Sequence, residues 1–123
     1  MKKIKDGKQI IFAPISVGEL VDKITILEIK KENVIGGKLN NIKSEHKLLN
    51  RILKETNIKI DQNLFSGLKE VNQNLWNLED KIREKEKLNI FDNEFIRIAR
   101  DIYKKNDLRS KLKLQITLKC NSA

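Results

Sequence analysis

Polar side chains that could do chemistry recur in three stretches of the chain, at the three- and four-residue spacing of a helix face. They stand beside apolar residues and are Glu19, Asp22 and Lys23; Trp76, Glu79, Asp80 and Arg83; and Tyr103, Asn106 and Arg109. Asn106 and Arg109 interrupt an apolar stripe, where a polar group needs a partner because burying it unpaired is costly. We therefore expect the acids of the first two stretches to meet Lys23, Arg83 and Arg109 in one polar network.

Two uses of this polar network stay open, with the structural one favoured. As structure, it would fix the register and orientation of the helices. As a site, its acids could hold a divalent metal, or its basic groups could hold an anion. Glu19 and Asp22 face one way, as in all-α nucleotide pyrophosphatases, which bind magnesium with carboxylates from several helices. Those enzymes need two such pairs, and the adjacent Glu79 and Asp80 diverge by about 100°, so no metal or other cofactor is predicted.

Standard catalytic signatures are missing from the sequence. The segment 36–38 (GGK) lacks the upstream glycine and the following Ser or Thr of a phosphate-binding loop. His46 falls on an apolar stripe, and without a nucleophile elbow a core histidine is favoured over proton transfer. Cys120 is the only cysteine, so it forms no internal disulfide and, with one histidine, no common zinc site. The sequence therefore leans towards a protein that is not an enzyme.

The net charge of +9 invites a nucleic-acid interpretation, but the type of basic residue argues against it. The chain has 21 Lys and 5 Arg, and Arg is the residue that reads guanine or grips phosphate with two hydrogen bonds. The lysines are spread along the chain among 17 acids. A solvated surface is favoured, and nucleic acid is an unlikely partner.

Four helices must position these side chains. Ser16 and Glu19 form a capping box that opens the first helix, which ends or kinks at Gly36-Gly37. Asp61 and Asp92 are candidate N-caps of the third and fourth helices. The predicted helices run from 17 to about 35, from about 38 to 55, from 62 to about 87 and from 93 to about 118. The third has the cleanest apolar repeat, with the alternating steps of a coiled coil: Leu64, Leu68, Val71, Leu75, Leu78 and Ile82.

Short linkers predict that successive helices turn back on one another as an antiparallel all-α bundle of about four long helices. Residues 1–9 are predicted to be loose, and residues 10–15 an extended segment packed on the bundle, because Pro14 does not join a helix easily. Residues 1–123 are interpreted as a single helical domain. No apolar run approaches the roughly 18 residues of a membrane span, and a cytoplasmic location is expected.

Three blocks of the sequence resemble an uncharacterised bacterial family of small helical proteins, a domain of unknown function. They are residues 15–30 (ISVGELVDKITILEIK), residues 74–83 (NLWNLEDKIR), and the run from Ala99 through Tyr103 to residues 106–109 (NDLR). The resemblance spans about residues 10–118. A second uncharacterised family shares a similar Gly-Glu-Leu-x-Asp-Lys opening, so the first block alone does not separate the two.

The resemblance implies no established activity, but it implies a genetic context of glycosyltransferases and surface-polysaccharide genes. The residues carried over from the motifs are Glu19, Asp22, Lys23, Glu28, Trp76, Glu79, Asp80, Arg83, Asn106, Asp107 and Arg109. Most of them coincide with the polar network inferred from spacing.

We expect a non-catalytic helical accessory or interaction protein, in connection with surface-polysaccharide assembly. The alternative is a small enzyme or an anion- or sugar-phosphate-binding protein that uses a pocket between the first, third and fourth helices, and the third reading is non-specific nucleic-acid binding. A homo-oligomer or a protein partner is expected if the third helix has more apolar surface than its neighbours cover. The structure can distinguish these three functions. A concave pocket at the polar network would favour an enzyme or a binding protein, and an exposed apolar patch would favour an interaction protein. Lysines gathered on one face would favour nucleic-acid binding.

Overall fold

The computed structural model describes residues 3–5 and 8–121. Four helices pack against one another, which confirms the predicted all-α bundle; they are α1 (Val17–Asn33), α2 (Lys38–Glu55), α3 (Gln62–Lys87) and α4 (Asn93–Asn121). Before them, β1 (Lys3–Lys5) and β2 (Lys8–Ile10) pair antiparallel, with Lys3 opposite Ile10. In the described part of the chain, no helix is both long and apolar enough to cross a membrane.

The helices begin at the predicted caps. The side chain of Ser16 accepts a hydrogen bond from the Glu19 backbone N–H at 3.2 Å. Asp61 accepts from two backbone N–H groups of the first turn of α3, and Asp92 accepts from the Phe95 N–H at 2.9 Å. Each cap satisfies N–H groups that have no partner within the helix. Between α1 and α2 the chain turns at Gly36, whose φ of +91° favours glycine.

α1 lies at the centre of the fold, with α3 and α4 packed against it and against each other. Eight residues of α1 are buried, so this helix is covered on more than one side. A core cluster joins one side chain from each of the three helices, Val21, Leu68 and Ile116, all at most 1% exposed. The backbone of α2 lies close to α1 but not to α3 or α4, and none of its residues is buried.

α1 and α4 approach each other closely at Gly18. The Gly18 N–H donates to the Thr117 hydroxyl at 2.9 Å, although both groups lie on helices. A side chain at position 18 would overlap the backbone carbonyl group of Lys113. The first turn of α1 can therefore rest on α4 only because this position is glycine.

The N-terminal segment departs from the sequence-based prediction. Residues 3–5 and 8–10 form a strand pair where a loose segment was expected; residues 1, 2, 6 and 7 lie outside the described part of the chain. The segment from 11 to 15, predicted to pack on the bundle, belongs to no helix or strand, and Ile11 and Phe12 are 78% and 65% exposed, so these side chains are not packed on the bundle. The two strands satisfy their backbone groups on each other, and no helix approaches either of them within the described residues.

Candidate functional site

An ion pair between α1 and α4 forms the centre of the site. Arg109 donates from Nε to Asp22 Oδ1 at 2.9 Å and from Nη2 to Asp22 Oδ2 at 2.6 Å. The Asp22 side chain is 3% exposed, and that of Arg109 is 29% exposed. This two-pronged geometry fixes the plane of the guanidinium group, so Arg109 is oriented by the protein itself.

Asn72 of α3 joins the pair. Its side-chain nitrogen donates to Asp22 Oδ1 at 3.0 Å and to the Thr25 hydroxyl at 2.9 Å, and that hydroxyl donates to the Asp22 backbone carbonyl at 2.8 Å. Both amide hydrogens of Asn72 are thus used, whereas its side-chain oxygen accepts no hydrogen bond from the described residues. Sequence reasoning missed Asn72, yet the signal was present: it follows Leu68 by four residues and precedes Leu75 by three, so it shares their face.

The charges around Asp22 keep it ionised. Burial by itself would raise the pKa of Asp22, but hydrogen bonds from Arg109 and Asn72, with the charges of Arg109 and Lys113, outweigh it and hold the pKa below its ordinary value. The same pair raises the pKa of Arg109, chiefly through the hydrogen bond to Asp22. Lys113 binds Glu19 at 2.7 Å and lies 3.9 Å from Asp22, so it adds a second positive charge from α4.

A cavity of about 370 Å³ opens beside this ion pair, between α1, α3 and α4. Its lining contains six of the residues that the sequence singled out, Trp76, Glu79, Asp80, Arg83, Asn106 and Arg109. The remaining lining residues are Ile26, Ile29, Lys30, Asn72 and Leu75. The cavity thus has an apolar side, one indole ring, two amides and charges of both signs.

Several groups in the cavity wall remain able to bind a ligand. Arg109 uses three of its five N–H groups, two on Asp22 and one, at 3.4 Å, on the Asn106 side-chain oxygen. The side-chain oxygen of Asn72 is a further open acceptor at a residue only 5% exposed. Arg83 reaches Glu79 at 3.7 Å on an exposed surface, so both are held loosely. The arrangement can donate to, and accept from, a ligand rich in hydroxyl groups.

The other predicted site residues lie outside the cavity. Lys23 is exposed on α1 and does not join the network. Tyr103 is 53% exposed, and Asp107 is exposed one residue beyond Asn106. Glu19 pairs with Lys113 at the edge of the ion pair. The three-residue spacing placed these side chains near the network but could not tell which of them point to solvent.

Glu28 belongs to a second cluster, which links α1, α2 and α3. It binds Lys69 at 3.0 Å and lies 3.3 Å from His46 Nε2. The hydrogen bond from Lys69 to Glu28 is the largest cause that raises the pKa of Lys69. His46 is half-buried and also contacts Lys31 at 3.4 Å and Asn50. The histidine is thus hydrogen-bonded to two side chains of α1 and to Asn50 of its own helix.

The acids of the network were also considered as ligands for a divalent metal. Among residues 9–120, no group of three or more His, Cys, Asp or Glu side chains is close enough to hold a metal ion. Asp22, one member of the pair suggested for magnesium, already accepts from Arg109 and Asn72. Its carboxylate is therefore engaged within the protein.

Comparison with known proteins gives one finding. Searches of curated proteins and of solved structures returned no match. A family model matches residues 11–123, a range that includes all four helices and every residue of the polar network. The resemblance to an uncharacterised domain, read from three sequence blocks, is thereby confirmed. The chain belongs to DUF6165, a family of unknown function.

Proposed function

We propose that this protein is a non-catalytic helical binding protein whose α1/α3/α4 cavity takes a sugar phosphate or a similar small metabolite. One observation carries the proposal: Arg109, held by the buried Asp22, lies in the wall of a cavity that also offers Trp76 and two asparagines. The volume of about 370 Å³ suits a small molecule.

Preorganisation supports binding at this place. Asp22 fixes Arg109 before any ligand arrives, so ordering that side chain adds little to the cost of binding. The remaining N–H groups of Arg109 suit a phosphate or carboxylate oxygen. The indole ring of Trp76 and the neighbouring aliphatic side chains offer an apolar surface for the C–H face of a sugar ring.

The charges of the lining favour a ligand with few charges and many hydroxyl groups. Lys30, Arg83 and Arg109 are positive, whereas Glu79 and Asp80 are negative. A strongly anionic ligand would be repelled by the two carboxylates, but a sugar hydroxyl can donate to them. A monophosphorylated sugar combines both requirements.

An interaction role belongs to the same proposal. The sequence resemblance implies a setting of surface-polysaccharide assembly, in which a sugar-phosphate-binding accessory protein would report on or deliver an intermediate to a partner. Exposed large apolar side chains, such as Phe12 and Phe91, are available for a protein partner or a second copy. Such a partner and the cytoplasmic location stay predictions.

Binding to hexose 1-phosphate, measured by titration calorimetry, tests the proposal. The parent protein should bind it more tightly than free hexose, and Trp76→Leu and Asn106→Ala should each lower the affinity at least about tenfold, or 1.4 kcal/mol. Asn77→Ala is the matched control, because Asn77 is exposed on the same helix and lies outside the cavity. Absence of binding at millimolar hexose phosphate, or equal losses in the control, would reject the cavity as the site.

Arg109→Met separates binding from a purely structural role. If the polar network only sets helix register, this change lowers the thermal midpoint, and no phosphorylated sugar raises the midpoint of the parent protein. If the cavity is a binding site, the ligand raises the midpoint of the parent protein and not that of the variant. Trp76→Leu and Asn106→Ala keep the test decisive should Arg109→Met fail to fold.

A further inference from the structure

A second cavity, of about 570 Å³, lies along α2 on the side that faces α1. Its lining contains five Lys or Arg side chains, which are Lys31, Lys43, Lys47, Arg51 and Lys54, together with His46 and Asn50. No carboxylate lines it. We call this the α2 groove. It is separate from the α1/α3/α4 cavity and shares no lining residue with it.

The α2 groove follows one helix face. Its α2 residues recur at steps of three, one, three, one and three, which places them along a single face for three turns. From Lys43 to Lys54 the groove extends about 16 Å along the helix axis. Lys31 adds a positive charge from α1. The groove thus spans about two Debye lengths of about 8 Å each at physiological salt, so each positive charge is only partly screened from its nearest neighbours.

These charges lack the compensation found at other helix contacts. Lys69, Lys113 and Arg109 each bind a carboxylate of a neighbouring helix. In the groove, by contrast, Lys31, Lys43, Lys47 and Lys54 form no ion pair with any described residue, and Arg51 reaches only the exposed Glu55, at 4.0 Å.

The carboxylate that contacts His46 is already engaged by a lysine of α3. Glu28 binds Lys69 at 3.0 Å and contacts His46, so it does not neutralise the α2 groove. His46 in turn contacts Lys31 at 3.4 Å and Asn50, which holds these two side chains at the junction of α1 and α2. The positive charge of the groove is therefore left for an anion to neutralise.

We propose that the α2 groove binds a small ligand that carries two or more linked phosphate groups. Lysine ammonium groups bind phosphate as point charges, and a row of them suits a chain of phosphates better than a single one. The volume lies within the range of small-molecule sites. The site differs from the α1/α3/α4 cavity, whose two carboxylates disfavour such a ligand, and the proposal does not rest on the proposed function.

The lining disfavours nucleic acid as the occupant. No Phe, Tyr or Trp lines the α2 groove, and the only ring there, that of His46, is already hydrogen-bonded within the protein, so unpaired bases would have little to stack on. Arg51 is its only arginine, so there is little capacity to read guanine. The phosphates alone would be recognised, and a short oligophosphate supplies them without the rest of the polymer.

Titration calorimetry with tripolyphosphate, in buffer of about 0.1 M salt, tests the proposal. The triple variant Lys43→Gln/Lys47→Gln/Lys54→Gln should weaken binding at least about tenfold, because three of the five cations are removed. The control Lys59→Gln/Lys87→Gln/Lys111→Gln removes the same charge from exposed positions outside the groove and should change affinity less than about twofold. All six side chains are exposed, so both variants are expected to fold, and circular dichroism is the measurement that checks this.

Three outcomes would overturn the proposal. One is a parent protein that binds tripolyphosphate no more tightly than inorganic phosphate. Another is an equal loss in the two triple variants, which would mean that net charge alone attracts the anion. The last is an RNA oligonucleotide that binds more tightly than tripolyphosphate and loses this affinity in the groove variant, which would identify nucleic acid as the occupant.

Discussion

Asp22 is the residue on which the candidate site depends. It is one of three charged side chains that helical spacing placed together near the start of α1, but only Asp22 points inward, while Lys23 is exposed and Glu19 binds Lys113 at the surface. Its two carboxylate oxygens accept from Arg109 and Asn72, so its loss would remove side-chain hydrogen bonds that join three helices, α1, α3 and α4. A buried charge of this kind is costly to leave unpaired.

Replacement of Asp22 by Asn should lower the free energy of unfolding at pH 7 by about 2 kcal/mol. This is below the usual effect for a fully buried pair, because Arg109 keeps some access to water. The comparison is chemical denaturation of the two proteins at pH 7. Asp92→Asn is the control, since Asp92 is exposed, and its loss should be smaller. Equal losses in the two variants would contradict a special role for Asp22.

The pH dependence of this difference follows from the lowered pKa of Asp22. In the unfolded chain the Asp22 carboxylate has its ordinary pKa of 3.8, whereas in the folded protein its pKa is lower, so it takes up a proton only at a lower pH. The stabilisation is therefore fully present above about pH 4 and is lost as the pH falls through the folded pKa. We expect the stabilities of parent and Asp22→Asn to converge as the pH falls below 3.8, measured by urea unfolding between pH 7 and 2. A constant difference over that range would argue against ionisation as its source.

Two glycines provide a matched test of the contact between α1 and α4. Gly18→Ala should destabilise the protein by about 1–3 kcal/mol, because the new methyl group meets the Lys113 backbone. Gly67→Ala should stabilise it by about 0.5–1 kcal/mol, since its Cβ would lie 3.9 Å from the Leu112 methyl groups within a helix. Thermal unfolding of both variants measures the two effects. Opposite signs are expected, and a neutral Gly18→Ala would mean that the helices do not approach as closely as described.

At the scale of elements, the caps and the apolar repeat predicted the helices well. α2 and α3 have the expected bounds, and Ser16 and Asp61 cap as predicted, because capping depends on residues within one turn. Periodicity indicates that a helix has an apolar face, but it does not name the helix that covers that face. For this reason the position of α2 beside α1 alone, and the inclusion of Asn72 in the site, were not predicted from the sequence.

The unequal burial of α1 and α2 predicts unequal local stability. The two helices have 17 and 18 residues, yet eight residues of α1 are buried and none of α2. A helix with few buried contacts opens at a lower free energy than the whole molecule. Amides of α2 should therefore exchange hydrogen through local opening well before those of α1, as measured by native-state exchange. Identical opening energies for the two helices would show that α2 unfolds only with the rest of the bundle.

At the scale of the whole molecule, charge and apolar surface were the least predictable features. The lysines look scattered along the sequence, but helical spacing gathers four of them, with Arg51, at the α2 groove. The candidate cavity contains six of the twelve residues singled out from the sequence. The other six lie outside it because their side chains point elsewhere. A three-residue spacing shows that two residues share a helix face, but it does not show how much of that face a neighbouring helix covers.

The turn between α3 and α4 leads to the final prediction, which concerns self-association. Leu88, Phe91 and Ile96 are 59%, 56% and 54% exposed within nine residues of sequence, and Ile90 is exposed between them. Exposed apolar side chains grouped in this way favour association, because a second copy can cover them. We expect a concentration-dependent dimer in sedimentation equilibrium.

The double variant Phe91→Ser/Ile96→Ser should shift this equilibrium towards monomer. Ile35→Ser is the control, because Ile35 is 90% exposed in a different loop and should leave the equilibrium unchanged. A parent protein that stays monomeric throughout the accessible concentration range would rule out self-association. A dimer that persists in the double variant but weakens in the control would instead place the interface at the α1–α2 turn, far along the chain from the apolar residues that join α3 to α4.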